Sequence, residues 1–495
     1  MDSRGIGKKI TSGLIWTYME RLLAQGVSTL VTIILARLLA PEHYGVVSIV
    51  TIFITICDTL VVGGFSDTLI QKADADELDF STLFWFVMLM SGVMYGILFL
   101  CAPFVESFFH TPLVCAALRV MGTRVLINGV RSIQSAYISK HMKYRYFFFA
   151  TLFGTVLSAI VGIVMAYLDY GVWALVAQYL TNSVVDTFII WMTCGWRPKM
   201  IFSMQRLKVL YSFGWKMQAS SLLATLYGEL ESFCIGKKYT SADLAFFDKG
   251  KQFPRLIMHN VQTSVSKVLL PAFSLVQSDP SKMRDLAKKS VRTSSFVMFP
   301  LLIGLMACAD EFVAAVLTEK WMAAVPFLRL LSVYYLCEPI MSMNKQIVIA
   351  SGDSKKYLIM EIEKKAIGIS LIICALLLTN DPFYIALCTV MTQLISLTIQ
   401  TEPVSKLIGY SLLKQLKDVF VPLAQSLMML IPIFVIKQFS FNIWAKLIAE
   451  VLCGCFVYIM VSVVSKNKEF LSLKKMVKQL VSKKSPQEKE SGERS

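Results

Sequence analysis

The chain has 495 residues, of which 56% are hydrophobic and only 17% are charged, and its formal net charge is +16. Because soluble domains carry about 25% charged residues, this composition excludes a soluble globular protein and indicates a polytopic membrane protein. The basic residues concentrate in short connectors and in the C-terminal tail, which argues against a nucleic-acid-binding groove.

Apolar stretches long enough to cross a bilayer, about 20 residues each, recur between residues 13 and 464. The sequence therefore predicts an all-α polytopic fold with about fourteen transmembrane helices. In chain order the predicted spans are 13–36, 44–66, 80–103, 115–139, 147–168, 171–193, 210–236, 244–273, 291–313, 323–350, 358–379, 383–402, 418–437 and 441–464. The fourth and the eighth of these spans are unusually polar.

The charges of the connectors predict the topology. With an even number of spans, both termini fall on the side that collects most of the lysines and arginines, including those of the polar tail from Lys466 onward. Cytoplasmic loops of membrane proteins carry such an excess, so we expect both termini in the cytoplasm.

The two halves of the chain resemble each other at an offset of 200 to 210 residues. The matching segments are Leu35–Arg37 before Tyr44–Gly45 with Ile235–Lys237 before Leu244–Ala245, and Pro112–Gly122 with Pro326–Ser332. Both halves begin on the same side, which predicts parallel repeats about a pseudo-twofold axis along the membrane normal. The predicted organisation is a cytoplasmic N-terminus (1–12), a first six-helix bundle (13–193), a cytoplasmic linker (194–209), a second six-helix bundle (210–402), two extra transmembrane helices (403–464) and a basic cytoplasmic tail (465–495).

The fourth span carries two arginines inside an apolar segment. Arg124, Asn128, Arg131 and Ser135 follow one another at steps of four, three and four residues, so they share one helical face. An arginine in hydrocarbon costs several kcal/mol and normally faces a water-filled cavity or a partner. We therefore predict that this stripe lines an internal cavity.

Other polar spans add candidates for the same lining. The predicted substrate-binding residues are Arg124, Arg131, Arg255, Asn128, Arg21, Lys216, Lys249, Lys251 and Lys345, and the candidates for ion coupling are Glu20, Asp58 and Glu338. A cavity rich in arginine and lysine suits an anion, and the planar guanidinium suits the oxygens of a phosphate.

The sequence lacks several motifs that are typical of enzymes. It contains no GxxxxGK[ST] phosphate loop and no HExxH pair, and none of its 11 cysteines forms a CxxC pair. The short connectors on the side opposite the termini leave no external loop that could carry a catalytic site. We therefore predict no catalytic residues, no metal and no cofactor.

Five segments together resemble a known family. They are ILARLLAPEHYGVVSIV, GFSDTLIQK, GVWALVAQYL, WRPKMIFS and LLPAFSLVQSD. As an ordered set they resemble Wzx-type polysaccharide flippases, in the exopolysaccharide, colanic-acid and teichuronic-acid exporter subgroup of the multidrug/oligosaccharidyl-lipid/polysaccharide superfamily. The resemblance implies a MATE-like fold of two six-helix bundles around a V-shaped lumen. It also implies that lumen arginines contact substrate, a role that we carry over to Arg124, Arg131 and Arg255.

The activity that this resemblance implies is the flipping of undecaprenyl-diphosphate-linked oligosaccharide repeat units across the bacterial inner membrane. We expect alternating access through a cationic lumen, driven by the membrane potential. A polymerase and glycosyltransferases of the same pathway are the expected partners. The alternatives are a multidrug cation exporter, a lipid II flippase and a membrane-embedded sugar-transferring enzyme.

Overall fold

The computed structural model describes residues 25–72, 74–277 and 279–471. These residues are almost entirely helical, and none of them lies in a β-strand. The chain divides into two compact units, Met1–Asp248 and Lys249–Ser495. The prediction of an all-α fold is confirmed.

In the first unit, α5 is the central helix, because it contacts α2, α3, α4 and α7. The helices of this unit are α1 (Gln25–Leu38), α2 (Pro41–Val62), α3 (Phe65–Gln71), α4 (Glu77–Phe109), α5 (Val114–Lys140), α6 (Arg145–Tyr167), α7 (Val172–Thr193), α8 (Met204–Lys238) and the start of α9 (Ser241–Leu275). One side of α5 buries Leu118, Val125 and Ile133 completely, which fixes the direction in which its polar side faces.

In the second unit, α10 packs against α12, α13 and α16 around a core that includes Met298, Leu302, Ile347 and Val404. The helices after α9 are α10 (Pro280–Ala307), α11 (Ala309–Phe312), a π-helical turn (Val313–Leu317), a 3₁₀ segment (Glu319–Ala324), α12 (Val325–Leu336), α13 (Glu338–Ala350), α14 (Ser354–Leu378), α15 (Phe383–Ile408), α16 (Leu412–Met428), α17 (Leu430–Lys437) and α18 (Ile443–Val464).

Eight segments of the described chain are long and apolar enough to cross a membrane. They are Pro41–Gln71, Glu77–Phe109, Arg145–Tyr167, Pro280–Ala307, Glu319–Ala350, Phe383–Ile408, Leu412–Lys437 and Ile443–Val464. The chain is therefore a multi-pass membrane protein. Several further helices, including α5 and α8, have sufficient length but carry charged side chains, and the number fourteen stays a prediction.

The predicted span 323–350 is not one uninterrupted α-helix. Helix α12 ends at Leu336 and α13 begins at Glu338, with Cys337 between them. The second residue of α13 is Pro339, whose ring lacks an N–H and clashes with the preceding turn, so proline interrupts a helix at this point.

Equivalent structural features support the predicted internal repeat. Helix α1 ends at Leu38 and α2 begins at Pro41; 200 residues later, α8 ends at Lys238 and α9 begins at Ser241. Corresponding arginines also make the same contact within their own units. Arg119 Nε on α5 donates to the carbonyl of Phe99 on α4 at 3.3 Å, and Arg329 Nε on α12 donates to the carbonyl of Met306 on α10 at 3.3 Å.

Candidate functional site

Four residues of the predicted stripe line one cavity in the first unit. This cavity has a volume of about 470 Å³, and its walls come from α2, α3 and α5. Arg124, Asn128, Arg131 and Ser135 are half-buried on the α5 wall, and Asp58 lies on the α2 wall. The helical spacing of the stripe thus produces a shared surface; its role in substrate binding stays a prediction.

A close approach of α4 holds α5 in place behind this cavity. Gly129 of α5 lies against Ser91 of α4, where a β-carbon would overlap the serine side chain. The Ser91 hydroxyl donates to the carbonyl of Val87 at 2.7 Å, so it is satisfied within its own helix. A glycine at this position therefore lets two long helices pack at short range and aims the opposite face of α5 at the cavity.

Asp58 and Asn128 form the polar contact across the cavity. The Asn128 Nδ2 donates to Asp58 Oδ2 at 2.8 Å, while Asp58 Oδ1 is buried without a hydrogen-bond partner. Arg124 is close enough to Asp58 to interact with it electrostatically. The cavity wall therefore carries carboxylates as well as guanidinium groups, since Asp67 also lines it.

Arg131 has an acidic partner that its own helix does not supply. Its guanidinium forms an ion pair with Asp186 of α7, which is only 5% exposed. The Arg131 side chain itself is 32% exposed, and its Nε has no hydrogen-bond partner. Arg131 therefore joins α5 to α7 and still presents one unused donor.

Arg124 has no ion-pair partner like that of Arg131 among the described residues. Its guanidinium lies 5.8 Å from the centroid of the Tyr179 ring, and among the described residues no carboxylate lies within ion-pair distance. Its Nε is also buried without a hydrogen-bond partner. Arg124 is thus the member of the stripe with the most donor capacity left for an anion.

The predicted cations of α8 and α9 differ in their exposure. Lys216 is exposed on α8, and Arg255 is exposed on α9. Lys249 is only 7% exposed; its Nζ donates to Gln252 at 3.3 Å and lies 5.7 Å from the ring centroid of Trp321. Lys251 is half-buried. Lys216 does not line the α5 cavity, and the contact of all four residues with substrate stays a prediction.

Glu338 and Lys345 belong to a polar cluster in the second unit. Glu338 accepts a hydrogen bond from Gln393 of α15 at 3.2 Å, and Gln393 in turn accepts one from Lys364 of α14 at 3.0 Å. Lys345 Nζ lies 5.4 Å from the ring centroid of Tyr357.

Lys364 and Gln393 are not among the residues predicted from the sequence. A signal was present, because Lys364 is a charged residue within the predicted span 358–379. The remaining candidates, Glu20 and Arg21, lie outside the described residues.

Side chains of the types that ligate metals are not clustered in the described part of the chain. No group of three or more His, Cys, Asp or Glu side chains there has an arrangement that could hold a metal ion. The site consists of hydrogen-bond donors and acceptors placed around a cavity between apolar helices.

A match to a sequence profile shows the family of this chain. The sequence profile described as "Polysaccharide biosynthesis protein" matches residues 34–326. The chain belongs to this family. The matched region contains α2 to α10 and the whole α5 cavity, and the resemblance drawn from the five sequence segments is confirmed.

Individual relatives agree with the family assignment. The chain is 23% identical over 350 residues to the teichuronic acid biosynthesis protein TuaB of Bacillus subtilis (strain 168), which covers 70% of this chain and 72% of the relative. It is 21% identical over 325 residues to the succinoglycan biosynthesis transport protein ExoT of Rhizobium meliloti (strain 1021), covering 66% of each chain.

A solved structure shows the same fold. The lipid II flippase MurJ, in its inward closed conformation, aligns with a TM-score of 0.74 at 15% identity, covering 92% of this chain and 99% of MurJ. At this identity the similarity establishes the fold alone. The predicted fold class, a polytopic all-helical membrane protein, is thereby confirmed.

Proposed function

We propose that this protein is a flippase that moves undecaprenyl-diphosphate-linked oligosaccharide repeat units across the bacterial inner membrane for surface polysaccharide biosynthesis. The single observation that carries this proposal is the α5 cavity, in which Arg124 and Arg131 keep free guanidinium donors between apolar helices of a polysaccharide biosynthesis family member. The protein acts as a transporter and not as an enzyme.

The chemistry of the cavity suits a diphosphate joined to a sugar. Guanidinium groups bind phosphate oxygens with short, charge-assisted hydrogen bonds, and Asn128 and Ser135 offer an amide and a hydroxyl to sugar hydroxyls. Arg131 and Arg124 are seven residues apart, which corresponds to about 10 Å along a helix axis. An anion that meets Arg131 first therefore reaches Arg124 after about a third of the bilayer core.

The direction of that movement follows from the proposed topology. With both termini in the cytoplasm, Arg131 lies nearer the cytoplasmic end of α5 and Arg124 nearer the outer end. The inside-negative membrane potential contributes about 2.3 kcal/mol per charge per 100 mV to outward movement of an anion. Alternating access of the cavity to the two sides then needs no ATP. A polymerase and glycosyltransferases of the same pathway are the proposed partners.

The alternatives predict different chemistry. A multidrug cation exporter needs a cavity dominated by carboxylates; here Arg124 and Arg131 equal Asp58 and Asp67 in number, and both arginines repel a cation. A lipid II flippase shares the fold, but the family matched by the sequence is one of polysaccharide biosynthesis. These observations favour the oligosaccharide flippase.

A reconstituted transport assay tests the proposal. Purified protein in vesicles is given a fluorescent lipid-linked oligosaccharide, and its transfer between leaflets is measured for the wild type and for the double variant Arg124→Ala/Arg131→Ala. We expect the double variant to lose export, and still to lose it when Asp186→Asn is added so that no buried carboxylate is left unpaired. The matched control is Arg119→Ala, which removes an arginine from the same helix outside the cavity and keeps export.

Two results contradict the proposal. Unchanged export in the double variant excludes the α5 cavity as the substrate site. Efficient transport of lipid II or of a cationic dye, without transport of the lipid-linked oligosaccharide, excludes the proposed substrate class.

A further inference from the structure

A second cavity lies in the seam between α5 and α7, next to the α5 cavity but lined by different residues. Its volume is about 630 Å³, within the range of pockets that hold small molecules. Ile127 and Val130 of α5 form one wall, and the opposite wall is an apolar row of α7 that ends at Trp191 and Met192. We call this cavity the α5/α7 groove.

The α7 wall of the groove exposes apolar side chains to the surroundings of the helices. On α7, Val184 is 50% exposed, Phe188 58% and Met192 67%. Val184 and Trp191 are seven residues apart, so the α7 wall runs for about 10 Å along the helix axis. A groove with one row of side chains from each of two helices accommodates a single chain better than the paired chains of a glycerophospholipid.

One end of the groove carries a positive charge. Arg197, four residues beyond the end of α7, lines the groove and is exposed. Its guanidinium donates to the carbonyls of Cys194 at 2.5 Å and Trp196 at 2.8 Å and also to that of Trp191. Among the described residues it forms no ion pair, so its charge is not neutralised by a carboxylate.

Two polar atoms of the groove walls also lack partners. Thr187 is only 8% exposed, and its Oγ1 has no hydrogen-bond partner. The indole N–H of Trp191, whose ring lies 5.2 Å from the Arg197 guanidinium, has none either. Buried polar atoms without partners are rare in folded proteins, and here they accompany an open apolar groove. The pairing of apolar walls with a cationic end indicates an amphiphilic anion as ligand.

We propose that the α5/α7 groove binds the polyprenyl chain of a polyprenyl diphosphate, with Arg197 facing the diphosphate. This inference rests on the proposed function and adds a second site to it. The groove shares α5 and α7 with the Arg131–Asp186 ion pair, so the lipid tail is held directly beside the wall of the α5 cavity. The loop charges predict that Arg197 lies at the cytoplasmic surface.

Photolabelling tests this site without requiring transport. The purified wild-type protein, in nanodiscs of phosphatidylethanolamine and phosphatidylglycerol, is irradiated with a polyprenyl diphosphate that carries a diazirine on its tail. We expect labelled peptides from residues 184–192. Excess unlabelled polyprenyl diphosphate should abolish the label, whereas excess phosphatidylglycerol should not. A label that phosphatidylglycerol removes equally well would overturn the proposal, since the groove would then bind bulk lipid.

Matched substitutions sharpen the test. Val130→Trp fills the groove and should remove the label, whereas Val120→Trp adds the same side chain at an exposed position of α5 outside the groove and should not. Arg197→Gln should weaken binding about tenfold, and Arg197→Lys should restore most of it, because the charge and not the hydrogen bonds to α7 attracts the diphosphate. Equal losses in the two Arg197 variants would contradict that role of the charge.

The groove and the proposed function fail in distinguishable ways. Wild-type protein that takes the label at residues 184–192 but exports no lipid-linked oligosaccharide supports the groove and contradicts the proposed function. Protein that exports the oligosaccharide while the label maps elsewhere overturns the groove alone.

Discussion

At the scale of single residues, the ion pair between Arg131 and Asp186 shows how this protein keeps a charge among apolar helices. Either side chain alone would be a charge shielded from water with no opposite charge near it. In the pair, the attraction between the two charges offsets much of the cost of removing them from water. The pair is incomplete, because Asp186 Oδ1 and Arg131 Nε remain without hydrogen bonds. The ion pair therefore joins α5 to α7, and one polar atom of each side chain can still form a hydrogen bond with another group.

Breaking this pair from one side should destabilise the protein more than removing it altogether. Arg131→Ala leaves the carboxylate of Asp186 buried and unpaired, which costs about 3–5 kcal/mol in comparable pairs. The double variant Arg131→Gln/Asp186→Asn replaces the charges by amides that can bond to each other and should lose less. Thermal unfolding in detergent measures the difference. A double variant less stable than Arg131→Ala would contradict this account.

Arg124 should matter for transport more than for stability. It has a ring contact with Tyr179 but no carboxylate within ion-pair distance among the described residues, so Arg124→Gln leaves no buried charge unpaired. We expect its unfolding temperature to stay near that of the wild type, while export of lipid-linked oligosaccharide falls at least about tenfold, the equivalent of one lost charged hydrogen bond. A variant that unfolds earlier but exports normally would assign Arg124 a structural role.

At the scale of helices, the start of α9 packs against α2 at Gly45. A methyl group at this position would overlap the backbone carbonyl of Ser241, which cannot rotate away as a side chain can. Gly45→Ala should therefore lower the unfolding temperature, with a cost of about 1–3 kcal/mol or more. Gly92→Ala on α4 is the control, because no atom lies near its β-carbon; there the better helix propensity of alanine should be neutral or stabilising.

The cap at the N-terminus of α4 should make the stability of the protein depend on pH. Asp76 accepts a hydrogen bond from the backbone N–H of Asp79 at 2.9 Å, and this bond, helped by the nearby Arg206, holds the pKa of Asp76 below its usual range. A depressed pKa means that the stabilisation is present at neutral pH and is lost as the pH falls below about 4, the usual value for aspartate.

Asp76→Asn tests this cap, because asparagine keeps the hydrogen-bond acceptor but does not titrate. Between about pH 5 and pH 3, the unfolding temperature of the wild type should fall more steeply than that of the variant. Parallel curves would show that Asp76 contributes nothing to the acid sensitivity.

Sequence periodicity was sufficient to place the α5 stripe, because residues three and four apart on one helix must share a face. It could not supply Asp186 as the partner of Arg131, since the two lie on different helices and no local spacing relates them. The same reason explains why the cluster of Glu338, Gln393 and Lys364 was not predicted as a group. Helix packing, which brings distant positions together, decides both.

At the scale of the whole molecule, the membrane potential should drive export. Vesicles with an imposed potassium diffusion potential, negative on the substrate side, should export lipid-linked oligosaccharide faster than vesicles without one, because each negative charge gains about 2.3 kcal/mol per 100 mV. Removal of ATP should have no effect. Export that does not change with the potential but requires a sodium or proton gradient would contradict this prediction. It would instead indicate ion coupling through Asp58 or Glu338.

Other features of the whole chain were accessible from composition and order alone. The polytopic helical fold follows from apolar segments of sufficient length, and the family follows from five segments in a fixed order. The interruption at Cys337 was not predicted, although Pro339 marks it, because the hydrophobicity of residues 323–350 is continuous across the break. Hydrophobicity indicates where a chain crosses the membrane but does not report its backbone path.

A helix begins at Ser241, 200 residues after the one at Pro41, and from this matching order we infer that the two halves arose by duplication. The hydrogen bonds that Arg119 and Arg329 donate to backbone carbonyls recur in the two halves. Near corresponding positions, by contrast, one copy has Asn128 bound to Asp58 and the other has Glu338 bound to Gln393. At these corresponding positions the two halves therefore offer different polar groups, an amide on one side and a carboxylate on the other.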